Sequence, residues 1–354
     1  MSPSSSIRFQ NSDNMRNQPP ITLLFGMPRS GTTWIGKVFD SHPRVSYRHE
    51  PDTQYVLNDL MTLYPDAGDA PRYREQVRDY CQKYLERCTV RTCGKAPFFP
   101  KASQSAFGLL GQKTRVLAAK LIERGLGRTI EWNYHLDDAR IVWKSIESLG
   151  RLGVLLPAIP DSNGVIIQRD PCGYAASVLR GEKLGRFSAA DSITEDWGML
   201  DMLLATHYAR EIGLDNAQLK ALAPHQRLAW MWVLINQKAC DDTRDMENVT
   251  IVRYEDLCRN PRDGFQRLFT FCGLEWEDQT DAFIGYTTAT SHNNAYYSVV
   301  KDPLKAAYRW RDEFDSGQID DIRSIVEQHP VGQAYYQTHE TSSYAMLDVP
   351  QKTA

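Results

Sequence analysis

The chain has 354 residues, of which 42% are hydrophobic and 24% are charged, and its formal net charge is -3. These values are ordinary for a globular protein, and they lack the basic excess that would indicate a nucleic-acid partner. No apolar run approaches the roughly eighteen residues of a membrane-spanning helix. Residues 1–19 are polar and are predicted to form a disordered leader rather than a signal peptide. One domain is expected over residues 20–340, with a tail at 341–354.

The cysteines and the distribution of charge bear on the protein's environment. Seven cysteines, without a secretory signal, predict reduced thiols and a cytoplasmic protein. Cys81, Cys88 and Cys93 cluster, but their spacing fits no zinc motif, so no metal site is predicted. Residues 61–130 carry thirteen Lys/Arg against six Asp/Glu, a local charge of about +7. This segment is interpreted as a helical insert with solvated faces, or as a rim that attracts an anionic cofactor, an acceptor or lipid headgroups in a peripheral membrane contact.

Taken in chain order, the elements alternate between strands and helices. Residues 21–25 form an apolar run ending at Gly26, which predicts a buried parallel strand. Asp170 and Pro171 suit the N-cap and first position of a helix. Further strands are expected at 45–47, 141–143, 165–168 and 250–253, and helices at 32–39, 72–88, 104–125, 171–180, 190–211, 222–243 and from 261 onwards. This order predicts a three-layer α/β domain with a central parallel sheet, carrying a helical insertion at about residues 60–130.

The loop after the first strand is predicted to bind an anion. Residues 26–34 read Gly-Met-Pro-Arg-Ser-Gly-Thr-Thr-Trp and stand between a strand and a helix. The backbone N–H groups around Ser30 and Gly31 would then point at one spot, together with the positive end of the helix dipole. Thr32 and Thr33 add hydroxyl groups in the first helical turn.

The position of the positive charge indicates which anion the loop suits. Gly26 and Gly31 have the spacing of a nucleoside-triphosphate loop, but Thr32 replaces the Lys that reaches the β- and γ-phosphates. The charge lies inside the loop instead, at Arg29. This arrangement favours a ligand with a single 5'-phosphate that carries one transferable group.

Residues 26–34, followed by Ser-His-Pro at 41–43 and Glu-Pro at 50–51, resemble the 5'-phosphosulfate loop of the sulfotransferase family. The form is similar to that of carbohydrate, tyrosylprotein and bacterial members, and the likeness extends from about Ile21 to the Tyr-Glu-Asp segment ending at Asp256. The resemblance implies a P-loop-type fold and an enzyme of the EC 2.8.2 type. Such an enzyme transfers a sulfuryl group from 3'-phosphoadenosine 5'-phosphosulfate to a hydroxyl or amine acceptor, releases adenosine 3',5'-bisphosphate and requires no metal.

The resemblance also assigns residues to donor binding. Arg169 and Ser177, at the end of a strand and two turns into the next helix, resemble the family's 3'-phosphate motif, and the planar fork of an arginine suits phosphate oxygens. An aromatic residue in the position of Trp34 stacks on adenine in family members, although Trp34 could equally pack in the core. A C-terminal segment often covers the cofactor, and its candidates here are Lys301, Tyr308 and Arg309.

Catalysis of sulfuryl transfer needs cations near the leaving phosphate and a base for the acceptor. Arg29 and Lys144 are the predicted cations, and Lys144 with Ser145 resembles a Lys-Ser pair of glycan sulfotransferases. Glu50 is the first choice for the base because glycan and tyrosylprotein members use a Glu in this region. His49 is the second choice, and His292 is a remote one. The Tyr-Glu-Asp segment at 254–256 is predicted to be structural.

The acceptor and two other functions stay open at this stage. The glycan-type resemblance, the Glu base and the basic insert favour a glycan or glycolipid acceptor, although aromatic residues around Phe98, Phe99, Trp132 and Tyr134 would also suit a phenol or a lipid. A P-loop small-molecule kinase and a non-catalytic nucleotide-binding protein are the alternatives. The sequence does not indicate an oligomeric state.

Overall fold

The computed structural model describes residues 19–185, 192–289 and 302–341. Its strands are β1 Ile21–Gly26, β2 Val45–His49, β3 Arg87–Cys88, β4 Trp132–Asn133, β5 Arg140–Ser145, β6 Ser162–Gln168 and β7 Val249–Arg253. Its α-helices are α1 Thr32–Ser41, α2 Pro51–Gln54, α3 Ala70–Tyr84, α4 Val90–Cys93, α5 Ala106–Leu126, α6 Leu152–Ala158, α7 Pro171–Lys183, α8 Trp197–Leu204, α9 His207–Glu211, α10 Asn216–Ala221, α11 Pro224–Thr243, α12 Tyr254–Arg259, α13 Pro261–Phe271, α14 Asp278–Ala289, α15 Pro303–Tyr308, α16 Ser316–Val326 and α17 Pro330–Thr341. None of these described helices is both long and apolar enough to cross a bilayer.

Five strands form the central sheet in the order β2-β5-β1-β6-β7, and every neighbouring pair is parallel. Strand β1 lies in the middle and is buried along its whole length. Leu23 and Phe25 pack into one apolar cluster, whereas Leu24 packs into a second cluster on the opposite face. Helices therefore cover both faces of the sheet, and the predicted α/β class with its central parallel sheet is confirmed.

The two apolar clusters show which helices cover which face. Helices α6, α7, α11 and α16 contribute to the cluster of Leu23 and Phe25. Helices α1, α12, α13 and α14 contribute to the cluster of Leu24. All five strands are parallel, so the loops that follow β1, β2, β5 and β6 meet at one edge of the sheet, where α/β proteins bind their ligands.

The segment 60–130 contains helices α3, α4 and α5, but two predictions within it are wrong. Helix α3 ends at Tyr84, and Arg87–Cys88 forms a short strand paired antiparallel with β4. Cys88 and Cys93 form a disulfide, with their Cα atoms 5.5 Å apart, so these two cysteines are not the reduced thiols that were expected. The side chains of Thr89 and Thr92 cap α4 reciprocally, which turns the chain back and brings the two cysteines within bonding range.

The single helix predicted over residues 190–211 is also wrong for the part that the structure describes. A 3-10 turn at Ile193–Glu195 precedes α8 and α9. Asp196 starts α8 by accepting a hydrogen bond from the N–H of Met199, and the Thr206 hydroxyl donates to the carbonyl of Leu203 at its end. Both side chains compete with a continuous helical ladder, which explains the break. The predicted leader (apart from residue 19) and residues 342–354 of the predicted tail lie outside the described residues.

Candidate active site

The loop after β1 presents an uncapped helix N-terminus, as the sequence predicts. Arg29 and Gly31 have left-handed backbone angles, with φ of 70° and 82°. Gly31 is the N-cap of α1, and no side chain caps this helix. A Cβ atom on Gly31 would lie 2.2 Å from the Tyr254 ring, so only glycine fits there. The first-turn N–H groups at Thr32 and Thr33 are therefore placed to bind an anion.

The structure brings the predicted donor-site residues Arg29, Arg169 and Ser177 together. Arg29 Nε donates to Ser177 Oγ at 3.1 Å, and one terminal nitrogen of Arg169 donates to the Arg29 carbonyl at 2.7 Å. The other terminal nitrogen donates to the carbonyl of Ala306 at 2.8 Å. These contacts join the loop after β1, the end of β6 and the segment that contains α15.

Arg169 keeps one unused donor in this cluster. Its Nε is buried and has no hydrogen-bond partner among the described residues. The guanidinium lies 5.3 Å above the centre of the Tyr254 ring. Leaving a charged donor buried without an acceptor is costly, so an anion bound here would be stabilised.

The N-terminus of α7 beside Arg169 is capped by the protein itself. The Asp170 carboxylate accepts from the N–H groups of Cys172 and Gly173, at 2.8 and 3.2 Å, which confirms the predicted N-cap. The free N–H groups for an anion therefore belong to α1 rather than to α7.

Glu50 and Lys144 form an ion pair at the ends of neighbouring strands. His49 of β2 lies opposite Lys144 of β5 in the parallel register, and Glu50 follows directly. The Glu50 N–H donates to the Lys144 carbonyl at 2.8 Å, and Lys144 Nζ donates to Glu50 Oε1. The Lys144 side chain is 1% exposed and that of Glu50 is 16% exposed. The two predicted catalytic groups are thus in direct contact.

Burial and nearby charges set the pKa of Lys144. Burial lowers this pKa, the Glu50 carboxylate opposes that effect, and the charge of Arg29 lowers it further. Arg29 therefore lies within electrostatic reach of Lys144 even though its side chain contacts Ser177. The loop after β1 lies between the two groups of site residues.

Lys95 is a site residue that the sequence analysis missed. Its Nζ lies 3.4 Å from His49 Nε2, and His49 Nδ1 lies 2.9 Å from the Tyr47 hydroxyl. Burial lowers the pKa of Lys95 to about 8, and the charge of Lys144 adds to the effect. Burial, Lys144 and Lys95 lower the pKa of His49, so its imidazole is neutral. No spacing rule marks Lys95, which enters from the insert just after α4.

Asp52 is a second residue that the sequence analysis missed. It is fully buried and accepts from Trp143 Nε1 at 3.1 Å and from the hydroxyls of Ser145 and Ser148. Ser145 of the Lys-Ser pair therefore anchors the end of β5. This network holds Lys144 and Glu50 in position.

A small basic cleft lies beside this group, along β2. Its lining includes Lys37, Arg48, Lys95 and Lys101, against one carboxylate, Asp40. Lys37 and Lys101 both pair with Asp40, at 2.7 and 3.0 Å. Positive charge exceeds negative charge in the cleft, so it suits a polar or anionic ligand group.

The structure places Trp34 in the core rather than at an open surface. Its side chain is buried, its indole N–H donates to Thr287 Oγ1 at 3.2 Å, and its ring meets Tyr254 and Phe265 edge-on. This placement favours the packing alternative, and the adenine contact stays a prediction.

The remaining predicted residues lie near the donor cluster or outside the described residues. The Tyr308 hydroxyl accepts from Arg259, and Arg309 Nε lies 2.8 Å from a Glu313 oxygen. The described residues include neither Lys301 nor His292.

The Tyr-Glu-Asp segment has structural contacts, in line with the prediction. Glu255 is buried and accepts from the Asp170 N–H at 3.1 Å and from the Tyr335 hydroxyl at 2.8 Å. Burial and the Asp170 charge raise the pKa of Glu255 to about 7.

A central parallel strand runs into an uncapped helix N-terminus, beside two arginines and a carboxylate–lysine pair. This is the kind of arrangement at which α/β proteins bind anionic ligands. The sequence profile described as "Sulfotransferase family" matches residues 20–278 of the chain. The chain therefore belongs to the sulfotransferase family, and the family predicted from the sequence is confirmed.

Individual relatives are distant. Carbohydrate sulfotransferase 2 of Mus musculus and that of Homo sapiens are each 23% identical over 347 positions, covering 87% of this chain and 63% of the relative. The chain thus spans less than two thirds of the length of these curated relatives. Among solved structures, a sulfotransferase domain from the curacin biosynthetic pathway has a TM-score of 0.44 and 14% identity, covering 88% of this chain and 97% of that one. A mouse sulfotransferase complexed with PAP has a TM-score of 0.42 and 12% identity, covering 92% and 89%.

Proposed function

We propose that the chain transfers a sulfuryl group from 3'-phosphoadenosine 5'-phosphosulfate to a hydroxyl acceptor, with Glu50 as the base. The observation that carries this proposal is the contact between Glu50 and the buried Lys144 beside the anion-binding loop. A carboxylate and a cation held together at the edge where the donor phosphate binds are the groups that in-line displacement requires.

Each group of residues has one task in this proposal. The α1 N-terminus holds the 5'-phosphate, and Arg169 and Ser177 hold the 3'-phosphate. The acceptor oxygen forms a bond to sulfur while the bond from sulfur to the bridging oxygen breaks, and the electron pair stays on the 5'-phosphate of the bisphosphate. Arg29 and Lys144 stabilise that developing charge, and the acceptor proton passes to Glu50.

Glu50 is favoured over His49 as the base for two reasons. The lowered pKa of His49 makes its imidazole a weak base, and Nε2 already lies within hydrogen-bond distance of Lys95. Glu50 keeps a partly exposed carboxylate that an acceptor can approach.

The acceptor is proposed to be a glycan or a glycolipid. The names of the carbohydrate sulfotransferase relatives and the basic cleft next to His49 support this choice. An acidic substituent of a hydroxyl-rich acceptor would find a compensating positive charge in this cleft. The cytoplasmic location stays a prediction, and the Cys88–Cys93 disulfide removes one argument for it.

Isothermal titration with adenosine 3',5'-bisphosphate tests the donor site, with ATP plus magnesium as the control. We expect micromolar or tighter binding of the bisphosphate alone. Binding of ATP alone would make the kinase alternative correct, against the family membership. Sulfated product from any hydroxyl acceptor would rule out a non-catalytic binding protein.

A further inference from the structure

Helix α5 carries a concentration of exposed apolar side chains. The described residues leave eleven large hydrophobic side chains exposed, and six of them lie on this one helix: Phe107, Leu110, Leu117, Leu121, Ile122 and Leu126. Phe107 is 83% exposed, and Leu121 is 61% exposed. Single exposed apolar residues are normal, but a contiguous group marks a surface that contacts something else.

Four of the six exposed residues form a stripe on the outer side of the helix. Successive residues turn by about 100° around a helix, so the buried Val116 and Ala119 define the inward direction. Phe107, Leu110, Leu117 and Leu121 all project within about 50° of the opposite direction on the same geometry. This outer stripe therefore faces away from the protein along most of α5.

A row of basic residues runs beside the outer stripe. Lys113, Lys120 and Arg124 share one flank of α5 by the same helical geometry, and all three are exposed. Residues 106–128 contain five Lys/Arg and one acidic residue, Glu123, whose carboxylate accepts from the N–H of Ile130 at 3.4 Å. None of the three flanking residues pairs with a carboxylate in the described part of the chain.

We propose that α5 docks on the surface of an anionic membrane, with the outer stripe inserted among the lipids and the basic row on their headgroups. An apolar stripe flanked by Lys and Arg is the pattern of helices that lie in a bilayer interface. A second copy of the chain is a poorer occupant, because two helices of the same strong positive charge would meet. The docked helix lies on the bilayer and does not span it.

The inner side of α5 connects this surface to the basic cleft. Gln112 of α5 lines the cleft together with Lys95 and Tyr134. One helix, about 10 Å across, therefore separates the docked membrane from the cleft that Lys95 lines. Docking would bring membrane-borne acceptors to this cleft, but the membrane contact itself does not rest on the proposed sulfuryl transfer.

Vesicle co-sedimentation of the full chain tests the proposal. Vesicles of phosphatidylcholine are compared with vesicles that also contain about 30% phosphatidylserine, at about 0.1 M and about 0.5 M salt. We expect at least about tenfold tighter binding to the anionic vesicles, weakened by salt. The double variants L117Q/L121Q and K113E/K120E should each lose about tenfold or more of this binding.

A matched double variant controls for surface change in general. Lys183→Glu with Leu184→Gln removes one exposed basic and one exposed apolar residue at the end of α7 and should leave vesicle binding unchanged. Retained binding of adenosine 3',5'-bisphosphate by every variant shows that the fold is intact. If the wild-type chain binds neither vesicle, or binds both equally, the proposal is wrong. A concentration-dependent dimer that L117Q/L121Q dissociates would instead make a second copy the occupant.

Discussion

Replacing Glu50 with Gln should destabilise the protein measurably, because it leaves the Lys144 ammonium buried without its partner. Removing one member of a buried ion pair costs about 3–5 kcal/mol. The Glu50 side chain is 16% exposed, so the expected loss lies at the lower end, about 3 kcal/mol. An unfolding entropy of about 2.1 cal/mol/K per residue converts this loss to a melting temperature lower by about 4 °C for a chain of this length.

The pH dependence separates this electrostatic effect from a loss of packing. Burial lowers the pKa of Lys144 and Glu50 opposes that effect, so the variant's folded-state pKa falls further while the unfolded value stays near 10.4. Between these two pKa values the unfolded chain binds more protons, and stability rises with pH. The deficit of the Gln variant should therefore shrink as the pH rises from about 7 to about 10.

Thermal melts at about pH 7 and about pH 9.5 measure this prediction for the wild type, Glu50→Gln, Lys144→Met and the double variant. The double variant should be more stable than Glu50→Gln, since it buries no unpaired charge. The Gln variant should keep bisphosphate affinity within a few-fold yet lose about 100-fold or more in turnover. Equal stability of the Gln variant and the wild type at both pH values would refute the buried pair, and turnover within a few-fold would refute Glu50 as the base.

Four further substitutions test the donor loop, the 3'-phosphate site and the insert. Gly31→Ala should weaken bisphosphate binding and lower the free energy of unfolding by about 1–3 kcal/mol, because φ is 82° and the Tyr254 ring blocks a Cβ. Gly111→Ala, which lies in open space on α5, should raise the free energy of unfolding by about 1 kcal/mol in denaturant titrations. Arg169→Ala should weaken the bisphosphate about tenfold more than adenosine 5'-phosphosulfate in calorimetry, whereas equal losses would place it away from the 3'-phosphate. As the pH rises through about 8, Lys95 loses its proton and the cleft loses one positive charge, so the KM for an acidic acceptor should rise. Lys95→Arg should keep the KM low to higher pH, and an unchanged pH profile of the KM in that variant would remove Lys95 from acceptor binding.

Much of the site was predictable because it depends on the parallel sheet. Buried apolar runs mark β1, β5 and β6, and parallel strands bring the loops that follow β1, β2, β5 and β6 to one edge. Glu50 follows β2 and Lys144 ends β5, so their meeting depends only on the strand order. The N-cap of α7 was predictable from residue types alone, because Asp170 precedes Pro171.

The rest depends on contacts between segments that have no local signal. Lys95 contacts His49 from the insert, and no strand pattern or sequence motif predicts this contact. The Cys88–Cys93 disulfide depends on the short helix α4 between the two cysteines. The local sequence pattern did not predict this helix. The predicted adenine contact of Trp34 came from the family resemblance, whereas the burial of the ring depends on helices α13 and α14 far along the chain.

The strand order places some of the site residues after central strands of the sheet and others after an edge strand. The anion loop and Arg169 follow β1 and β6, which have neighbours on both sides. Glu50 follows β2, which is an edge strand. The insert packs against this strand, lines part of the basic cleft and contains helix α5. Under the proposed function, changes in the insert would therefore alter which acceptor reaches Glu50 and leave the loop after β1 unchanged. Under the same proposal, one scaffold would serve different acceptors through variation confined to the β2 edge of the sheet.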